Sequence, residues 1–392
     1  MPVIARIASY HDDLAEIRRD IHAHPELGFK ESRTAGVVAR ELASYGIEVH
    51  RGLATTGVVG RLKVGAGNRT IGLRADMDAL PIHEMNSFGH RSRHDGVMHA
   101  CGHDGHTTML LGAARYLAET KSFDGTVHFI FQPAEEGWGG AKVMIDEGLF
   151  EKFPCDEVYG MHNWALAPVG VFGIRPGPIM AASGNFDITI TGRGAHAARP
   201  ESGVDPVVVA ANTIMALQTI VSRNVNAVDS LVISVTQIHG GEAYNVIPES
   251  VVLRGNVRAY RPEIVDKIGP AIERVAAGVA ATYGATAAVA FAMKYPPLVN
   301  HARETEIAAD AAAEIVGEAQ VNRDMPMRTA SEDFSFMLQK RPGAFIFIGN
   351  AGSDGGCDVH NPRYDFNDAI IPLGSSFFAR LVERQLPKRR ST

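Results

Sequence analysis

The sequence has few cysteines and no excess of positive charge. Cys101, Cys155 and Cys357 are the only cysteines among 392 residues. An odd count this low excludes a disulfide framework, and we expect free thiols in a reducing compartment. Lys plus Arg total 38 against 44 for Asp plus Glu, which gives a net charge of −6. Because no long run of one sign accompanies this balance, nucleic acid is not expected as a partner.

The sequence also lacks a long uninterrupted apolar run. Even the segment from Asp205 to Val221 carries Asn212 and Gln218, whereas a bilayer span needs roughly 20 mainly apolar residues. We therefore expect no membrane insertion. The N-terminal residues include Asp12 and Asp13 and do not have the charged-then-apolar order of a secretory signal, so the chain is expected to be cytoplasmic.

Two secondary-structure patterns divide the chain, whose length favours two or three domains. In the first half of the chain, helices are predicted at about 4–23, 32–46 and 107–119, and strands at about 70–75, 126–131 and 156–160. Such alternation of helices and strands is typical of helices packed on a largely parallel sheet. A β-α-β-β-α-β order, typical of a ferredoxin-like fold, follows, with strands at about 185–191, 231–238, 250–259 and 286–292 and helices at about 205–222 and 262–282. A helix at about 304–316 and a buried strand at 344–348 come next. The sequence thus predicts an α/β protein with a mixed-sheet domain, 1–184 plus 296–392, and an inserted ferredoxin-like α+β domain, 185–295.

Histidine is concentrated in one part of the chain. Six of the sixteen histidines lie between positions 83 and 106: His83, His90, His94, His99, His103 and His106. Close to them in the predicted fold are side chains that follow strand ends, where the sites of open α/β sheets lie. These are Asp76 and Asp78, then Glu135 and Glu136, then His162 and Asn163, with Cys101 and His103 in the loop that opens a helix.

Each of these residues alone would be an ordinary loop or core residue. Together they supply thiolate, imidazole and carboxylate groups, which are the ligands of zinc and similar divalent ions. Several independent strand ends deliver them to one edge of a sheet. The sequence therefore predicts a metal site there.

The order of these motifs resembles the M20 metallopeptidases, in particular the amidohydrolase branch that contains hippurate hydrolases, aminobenzoyl-glutamate hydrolase-like proteins and the plant hydrolases of indole-acetyl-amino acids. The resemblance covers nearly the whole chain. Its motifs are Asp20–Leu27, Arg74–Pro81, His99–His106, Gln132–Glu136, Gly160–Asn163, Gly194–His196 and His360–Pro362.

The resemblance implies a dinuclear centre. Zinc or manganese is expected, and cobalt or nickel would also suit the ligands. In this comparison Glu135 is the general base, and Asp78 orients a ligand histidine. The implied metal ligands are Cys101, His103, Glu136, His162 and His360.

The resemblance also implies that the inserted domain is a lid that supplies dimer contacts, so we expect a homodimer or a dimer of dimers. His196 corresponds to a histidine that stabilises the tetrahedral oxyanion, and Asn245 to a polar residue near the substrate carboxylate. Arg258, on a predicted strand, either binds a carboxylate in a bidentate manner or covers the sheet face. Arg328, before Glu332, is a departure from the family pattern that would favour an acidic substrate unless it is exposed to solvent.

The expected activity is metal-dependent hydrolysis of the amide bond of N-acyl amino acids, of the hippurate type or with other aromatic or aliphatic acyl groups. The products are a carboxylic acid and a free amino acid. Two alternatives remain. One is a dipeptidase or carboxypeptidase on the same scaffold, and the other is a metal-binding protein without catalysis. The presence of Glu135 argues against the second, because a site for binding alone does not need an acid-base residue.

Overall fold

The computed structural model describes residues 3–351 and 357–388. The segment 352–358 before His360, which the resemblance leads us to expect to be longer than in many relatives, lies for the most part outside the described residues. The chain forms two compact units. Unit 1 comprises Met1–Gly177, Val299–Pro326 and Phe336–Thr392, and unit 2 comprises Pro178–Leu298 and Met327–Ser335.

The described ranges contain eleven α-helices. In chain order they are α1 (Ala5–Ala8), α2 (His11–Ala23), α3 (Ser32–Ser44), α4 (His103–Thr120), α5 (Gly140–Asp146), α6 (Leu149–Lys152), α7 (Pro206–Asn224), α8 (Pro262–Thr282), α9 (Ala302–Val316), α10 (Phe334–Leu338) and α11 (Ile371–Gln385). Short 3-10 helices occur at Pro200–Ser202, Glu318–Gln320 and Asp368–Ile370.

The strands of the same residues number sixteen. They are β1 (Glu48–Leu53), β2 (Gly57–Val64), β3 (Thr70–Asp76), β4 (Gly125–Gln132), β5 (Glu157–Trp164), β6 (Phe172–Gly173), β7 (Gly177–Met180), β8 (Ala182–Thr191), β9 (Ala195–His196), β10 (Leu231–His239), β11 (Val246–Ile247), β12 (Ser250–Ala259), β13 (Thr286–Tyr295), β14 (Leu298–Asn300), β15 (Val321–Asn322) and β16 (Gly343–Gly349).

An eight-stranded mixed sheet is the centre of unit 1, in the order β1-β2-β4-β3-β5-β16-β6-β15. Its four middle strands, β4, β3, β5 and β16, are parallel neighbours. Their apolar side chains are buried, as expected for a sheet covered on both faces, and α4 and α11 contribute to the same core through Leu110, Leu117 and Phe377. The carboxyl ends of the parallel strands meet at one edge, and the residues after β3 and β4 lie there.

Unit 2 contains a four-stranded antiparallel sheet, β10-β12-β8-β13. The helices α7 and α8 each pack one face against this sheet. Leu217 of α7 and Ile272 of α8 belong to the core of unit 2. The Asp205 side chain accepts a hydrogen bond from Val207 N, so it caps the N-terminus of α7. Length and composition would allow α7 to cross a bilayer, but its buried residues belong to this core, which makes it weak evidence for a membrane span.

Two local predictions are wrong. The expected single helix over about 4–23 is interrupted, because α1 ends at Ala8 and α2 begins at His11. Tyr10 N bonds to Ile7 O at the tighter i−3 spacing, and the Tyr10 hydroxyl donates to Glu119 on α4. This tertiary contact outweighs helix propensity at the break. The second error concerns His162 and Asn163, which do not follow a strand but lie within β5, because its pairing with β16 continues to Trp164.

Candidate metal centre

Four segments of unit 1 carry the expected ligands, three of them at the carboxyl edge of its sheet. Cys101 and His103 stand at the start of α4, Glu136 follows β4, and His162 lies near the end of β5. His360 belongs to the segment after β16, and its backbone N–H donates to Ala100 O at 2.7 Å. This bond fixes His360 beside the loop that carries Cys101.

The loop into α4 requires a glycine between Cys101 and His103. Gly102 has φ of +94°, in the left-handed region that glycine tolerates best. A Cβ at this position would also lie 2.4 Å from Asn163 Oδ1. The Cys-Gly-His spacing therefore permits a close approach of the start of α4 to β5.

The five expected ligands form two groups that share one residue. Donor atoms of Cys101, His103 and His162 all lie within 4.8 Å of one another, and the same holds for Cys101, Glu136 and His360. Cys101 Sγ is 3.4 Å from His162 Nε2, and His360 Nε2 is 3.2 Å from Glu136 Oε1. Two adjacent sets of donors, with a thiol common to both, match what two neighbouring divalent cations need.

A divalent cation fits the unpaired donors of this cluster. His103 is fully buried, and its Nε2 has no hydrogen-bond partner among the described residues. A buried nitrogen without a hydrogen bond is costly in a protein interior, and the 3.8 Å ion-pair contact of Nε2 with Asp76 Oδ2 is too long to replace one. His162 Nδ1 donates to Asn163 O at 2.7 Å, so that the lone pair of the neutral ring is on Nε2, the atom that faces Cys101.

Asp78 organises both sides of the cluster. Its Oδ1 accepts from His103 Nδ1 at 3.2 Å and from Glu135 N at 3.0 Å, while Oδ2 accepts from Glu136 N at 3.0 Å. The side chain is 1% exposed. A carboxylate on the second nitrogen of a histidine fixes its ring orientation and makes the first nitrogen a better ligand.

The electrostatics of the cluster favour cations. Burial raises the pKa of the Cys101 thiol, and the nearby carboxylates of Glu136 and Glu135 raise it further. Burial lowers the pKa of His103, but Asp76 and Asp78 more than offset this and raise it to about 10. Negative charge thus accumulates around Cys101, and a bound cation would favour its thiolate form.

The backbone is strained at two places beside these ligands. Ala134 has φ of +58° and His360 has φ of +63°, values that residues with a Cβ adopt at a cost of about 1–3 kcal/mol. One precedes Glu135 and the other is itself an expected ligand. Such strain persists only where surrounding contacts hold it, and it is often found at functional sites.

The remaining expected site residues lie in unit 2. His196 and Asn245 are neighbours there, because β9 pairs with β11 (His196 opposite Val246) and Ala197 N donates to Asn245 O. His196 Nδ1 accepts from Ala198 N at 3.1 Å, so the proton of the neutral ring is on Nε2. Arg258 is half-buried on β12 and donates to Val257 O. Arg328 is also half-buried, and its backbone bonds to Ile179 and Ala181.

The structure also shows contacts of buried polar residues to which the sequence analysis assigned no role in the site. His106 Nδ1 is 2.6 Å from Asp76 Oδ1, and His106 Nε2 is 2.7 Å from Asn163 Oδ1. Both ring nitrogens of His106 therefore have hydrogen-bond partners within the protein. Arg18, 1% exposed, pairs with Asp365 and Asp368. Glu31 is fully buried and accepts a hydrogen bond from Ala134 N. Only the motif around His106 carried a sequence signal.

Comparisons with known proteins agree with this geometry. Residues 72–384 match the peptidase family M20/M25/M40. Hippurate hydrolase of Campylobacter jejuni is 40% identical over 98% of this chain and all of its own length. An IAA-amino acid hydrolase of Arabidopsis thaliana is 39% identical over 98% of this chain and 89% of its own.

A solved structure shows the same fold. The crystal structure of a dinuclear metal-binding peptidase of the M20 family from Bacillus subtilis has a TM-score of 0.85 and 33% identity, over 97% of this chain and 99% of that one. The matched span covers well over half of the chain, and the relatives are similar over nearly their full lengths. The chain is a hydrolase that belongs to the M20/M25/M40 peptidase family.

Proposed function

We propose that this protein is a dinuclear metal-dependent amidohydrolase that cleaves N-acyl amino acids into a carboxylic acid and a free amino acid. The observation that carries the proposal is the pair of donor groups that share Cys101, with Glu135 beside them. The names of the relatives support the substrate class, since hippurate and IAA-amino acids are both N-acyl amino acids.

The proposed ligands are Cys101, His103, Glu136, His162 and His360. Zinc or manganese is the proposed metal, with cobalt and nickel as further candidates, because thiol, imidazole and carboxylate donors suit all four. When bound, the two cations would supply Lewis-acid polarisation of the scissile carbonyl and a lower pKa for the attacking water.

Glu135 is the proposed general base. It is 7% exposed, and its backbone is held by Asp78. Its carboxylate takes a proton from the attacking water as the oxygen bonds to the carbonyl carbon. The same proton then passes to the amide nitrogen as the carbon–nitrogen bond breaks, which releases the amino acid as a neutral amine and returns Glu135 to its ionised form.

Unit 2 supplies the proposed substrate contacts. His196 Nε2–H is suited to donate to the oxyanion that develops on the carbonyl oxygen. Asn245, its neighbour, is proposed to bind the substrate carboxylate together with Arg258. Burial lowers the pKa of Arg258, and a carboxylate partner would favour its charged form.

We further propose that unit 2 mediates a homodimer in which His196 serves the partner subunit. Ten of the fourteen exposed large apolar side chains of the described residues lie in unit 2, among them Ile238, Tyr244 and Val246. Tyr244 and Val246 adjoin the His196 strand. Exposed apolar side chains concentrated in one unit are typical of a protein interface.

A substrate screen tests the proposal. Metal-free enzyme is reloaded separately with zinc, manganese, cobalt and nickel, then given N-benzoyl, N-acetyl and indole-acetyl amino acids alongside unblocked dipeptides. We expect hydrolysis of blocked amino acids and little hydrolysis of dipeptides, with Glu135→Gln as the inactive control. Preferential cleavage of dipeptides or of longer C-terminal peptides would instead support the peptidase alternative.

A further inference from the structure

Two buried carboxylates hold three consecutive backbone N–H groups just after β4. Asp78 accepts from Glu135 N and Glu136 N. Glu31, from the other side, accepts from Ala134 N through Oε1 at 2.8 Å. Ala134 is fully buried and has φ of +58°. The backbone that presents Glu135 is therefore held in a strained conformation by both carboxylates.

Glu31 is unusual in its own surroundings. It is fully buried, and its Oε2 accepts from Thr56 Oγ1 at 2.6 Å. No Lys, Arg or His forms an ion pair with it in the described parts of the chain. Burial raises the pKa of Glu31 to about 7, and the charge of Asp78 contributes to the rise. A carboxyl buried without a cation costs stability, so its presence calls for a compensating role.

We infer that Glu31 is a positioning residue for Glu135. The inference rests on the proposed function, in which Glu135 is the base. Without the bond from Ala134 N to Glu31, the strained backbone at Ala134 would relax toward a negative φ. The adjoining Glu135 would then move with it. A displacement of about 1 Å at a reacting group can reduce the rate 10²-fold. Asp78 alone cannot prevent this, because its bonds begin one residue later.

The requirement is for a hydrogen-bond acceptor at the right distance. Oε1 can accept from Ala134 N in either protonation state of Glu31, so the positioning does not depend on ionisation. Glutamine at this position keeps an acceptor at the same reach. The aspartate side chain is one methylene shorter, so its acceptor lies farther from Ala134 N. Leucine has no acceptor.

Four variants test the inference: Glu31→Gln, Glu31→Asp, Glu31→Leu and the matched control Glu147→Leu. The control removes a comparable contact elsewhere, since Glu147 accepts from the N–H of Ala54 at 2.7 Å and Ala54 also has a left-handed φ, +48°. We measure kcat and KM on the substrate chosen by the screen, metal content by elemental analysis, and amide hydrogen exchange of a peptide that spans 131–140.

We expect kcat to fall roughly 10- to 100-fold in Glu31→Asp and Glu31→Leu, with KM within about threefold and two metals retained. Exchange at the Ala134 amide should quicken in both. Glu31→Gln should restore kcat to within about threefold, and Glu147→Leu should leave it unchanged. If Glu31→Leu does not fold, the inference is tested by comparing kcat of Glu31→Asp with kcat of Glu31→Gln.

Wild-type kcat in a folded Glu31→Asp variant would overturn the inference, as would a glutamine variant as slow as the aspartate one. A purely structural role would lower the melting temperature and leave kcat unchanged. Failure of the proposed function looks different, because Glu135→Gln would then retain its rate whatever the Glu31 variants do.

Discussion

The carboxylate of Asp78 accepts a hydrogen bond from the ring of His103, with 3.2 Å between Oδ1 and Nδ1. Both side chains are buried, at 1% and 0% exposure. The bond leaves Nε2 of His103 directed away from Asp78 and without a hydrogen-bond partner among the described residues. Asp78 therefore fixes which nitrogen of His103 can bind a cation.

Replacing this carboxylate should weaken metal binding. Asp78→Asn retains size, but its amide NH₂ cannot accept hydrogen bonds and so cannot replace both oxygens. We expect the dissociation constant for the more weakly bound metal to rise about 10- to 100-fold, as measured by competition with a chromogenic chelator. Asp95→Asn is the control, because Asp95 pairs with His83 at the exposed surface. Equal metal affinity in Asp78→Asn and wild type would rule out this role.

The adjacent glutamates should respond differently to the same substitution. Glu135→Gln should retain two metals and lose at least about a hundredfold in kcat, since it removes the proton acceptor. Glu136→Gln should lose metal first, because a carboxylate ligand becomes a weaker amide donor. Elemental analysis and kinetics on the same samples check both outcomes. Normal metal content in both variants would show that Glu136 is not a ligand.

The acid sensitivity of the fold should depend in part on His128. This β4 residue is 2% exposed, and burial lowers its pKa to about 4, aided by Arg61. Between pH 6.5 and 4 the unfolded chain takes up a proton at His128 that the folded protein does not. As the pH falls from 6.5 to 4, the free energy of unfolding should therefore decrease by up to about 3 kcal/mol because of His128.

His128→Gln cannot titrate and should lose less stability than wild type between pH 7 and 5, as measured by urea unfolding at each pH. The exposed His94→Gln variant serves as the control and should follow wild type. An identical pH dependence in all three proteins would show that His128 does not contribute.

His196→Ala should lose roughly 10²- to 10³-fold in rate, the range for one oxyanion donor, while its metal content stays normal. Its action across a dimer can be tested by co-refolding Glu135→Ala with His196→Ala. Random pairing makes about half of the dimers mixed, and each mixed dimer has one intact site out of two, so about a quarter of wild-type activity should return. Mixed dimers that form and stay inactive would show that His196 does not serve the partner subunit.

The sequence predicted the elements whose signals are local. Strands β3 and β4 and helices α7 and α8 were expected within one or two residues, because apolar periodicity and a proline at the start of each helix, Pro206 and Pro262, are visible in a short window. Strands β1 and β2 were missed. Gly52, Gly57 and Gly60, together with charged residues such as Arg51 and Lys63, obscure their alternation.

The sequence could predict a residue of the site only where the residue type itself indicates its chemical role. Cys101 and Glu136 stand out as ligand-type residues after predicted elements, and the structure places them in one donor group. Glu31 does not stand out, because its contact is to the backbone of Ala134, about a hundred residues away. Nor does the sequence indicate that β5 extends past His162, since that depends on pairing with β16.

The most direct test of the two-metal account is a titration of metal-free enzyme with zinc or manganese, followed by amide hydrolysis and by elemental analysis of the same samples. The account predicts negligible hydrolysis without metal and activity that rises to a plateau at two equivalents per chain. In Glu136→Gln and His360→Ala the plateau should require more metal or fail to appear. Full activity in protein shown to contain no divalent metal would contradict the account.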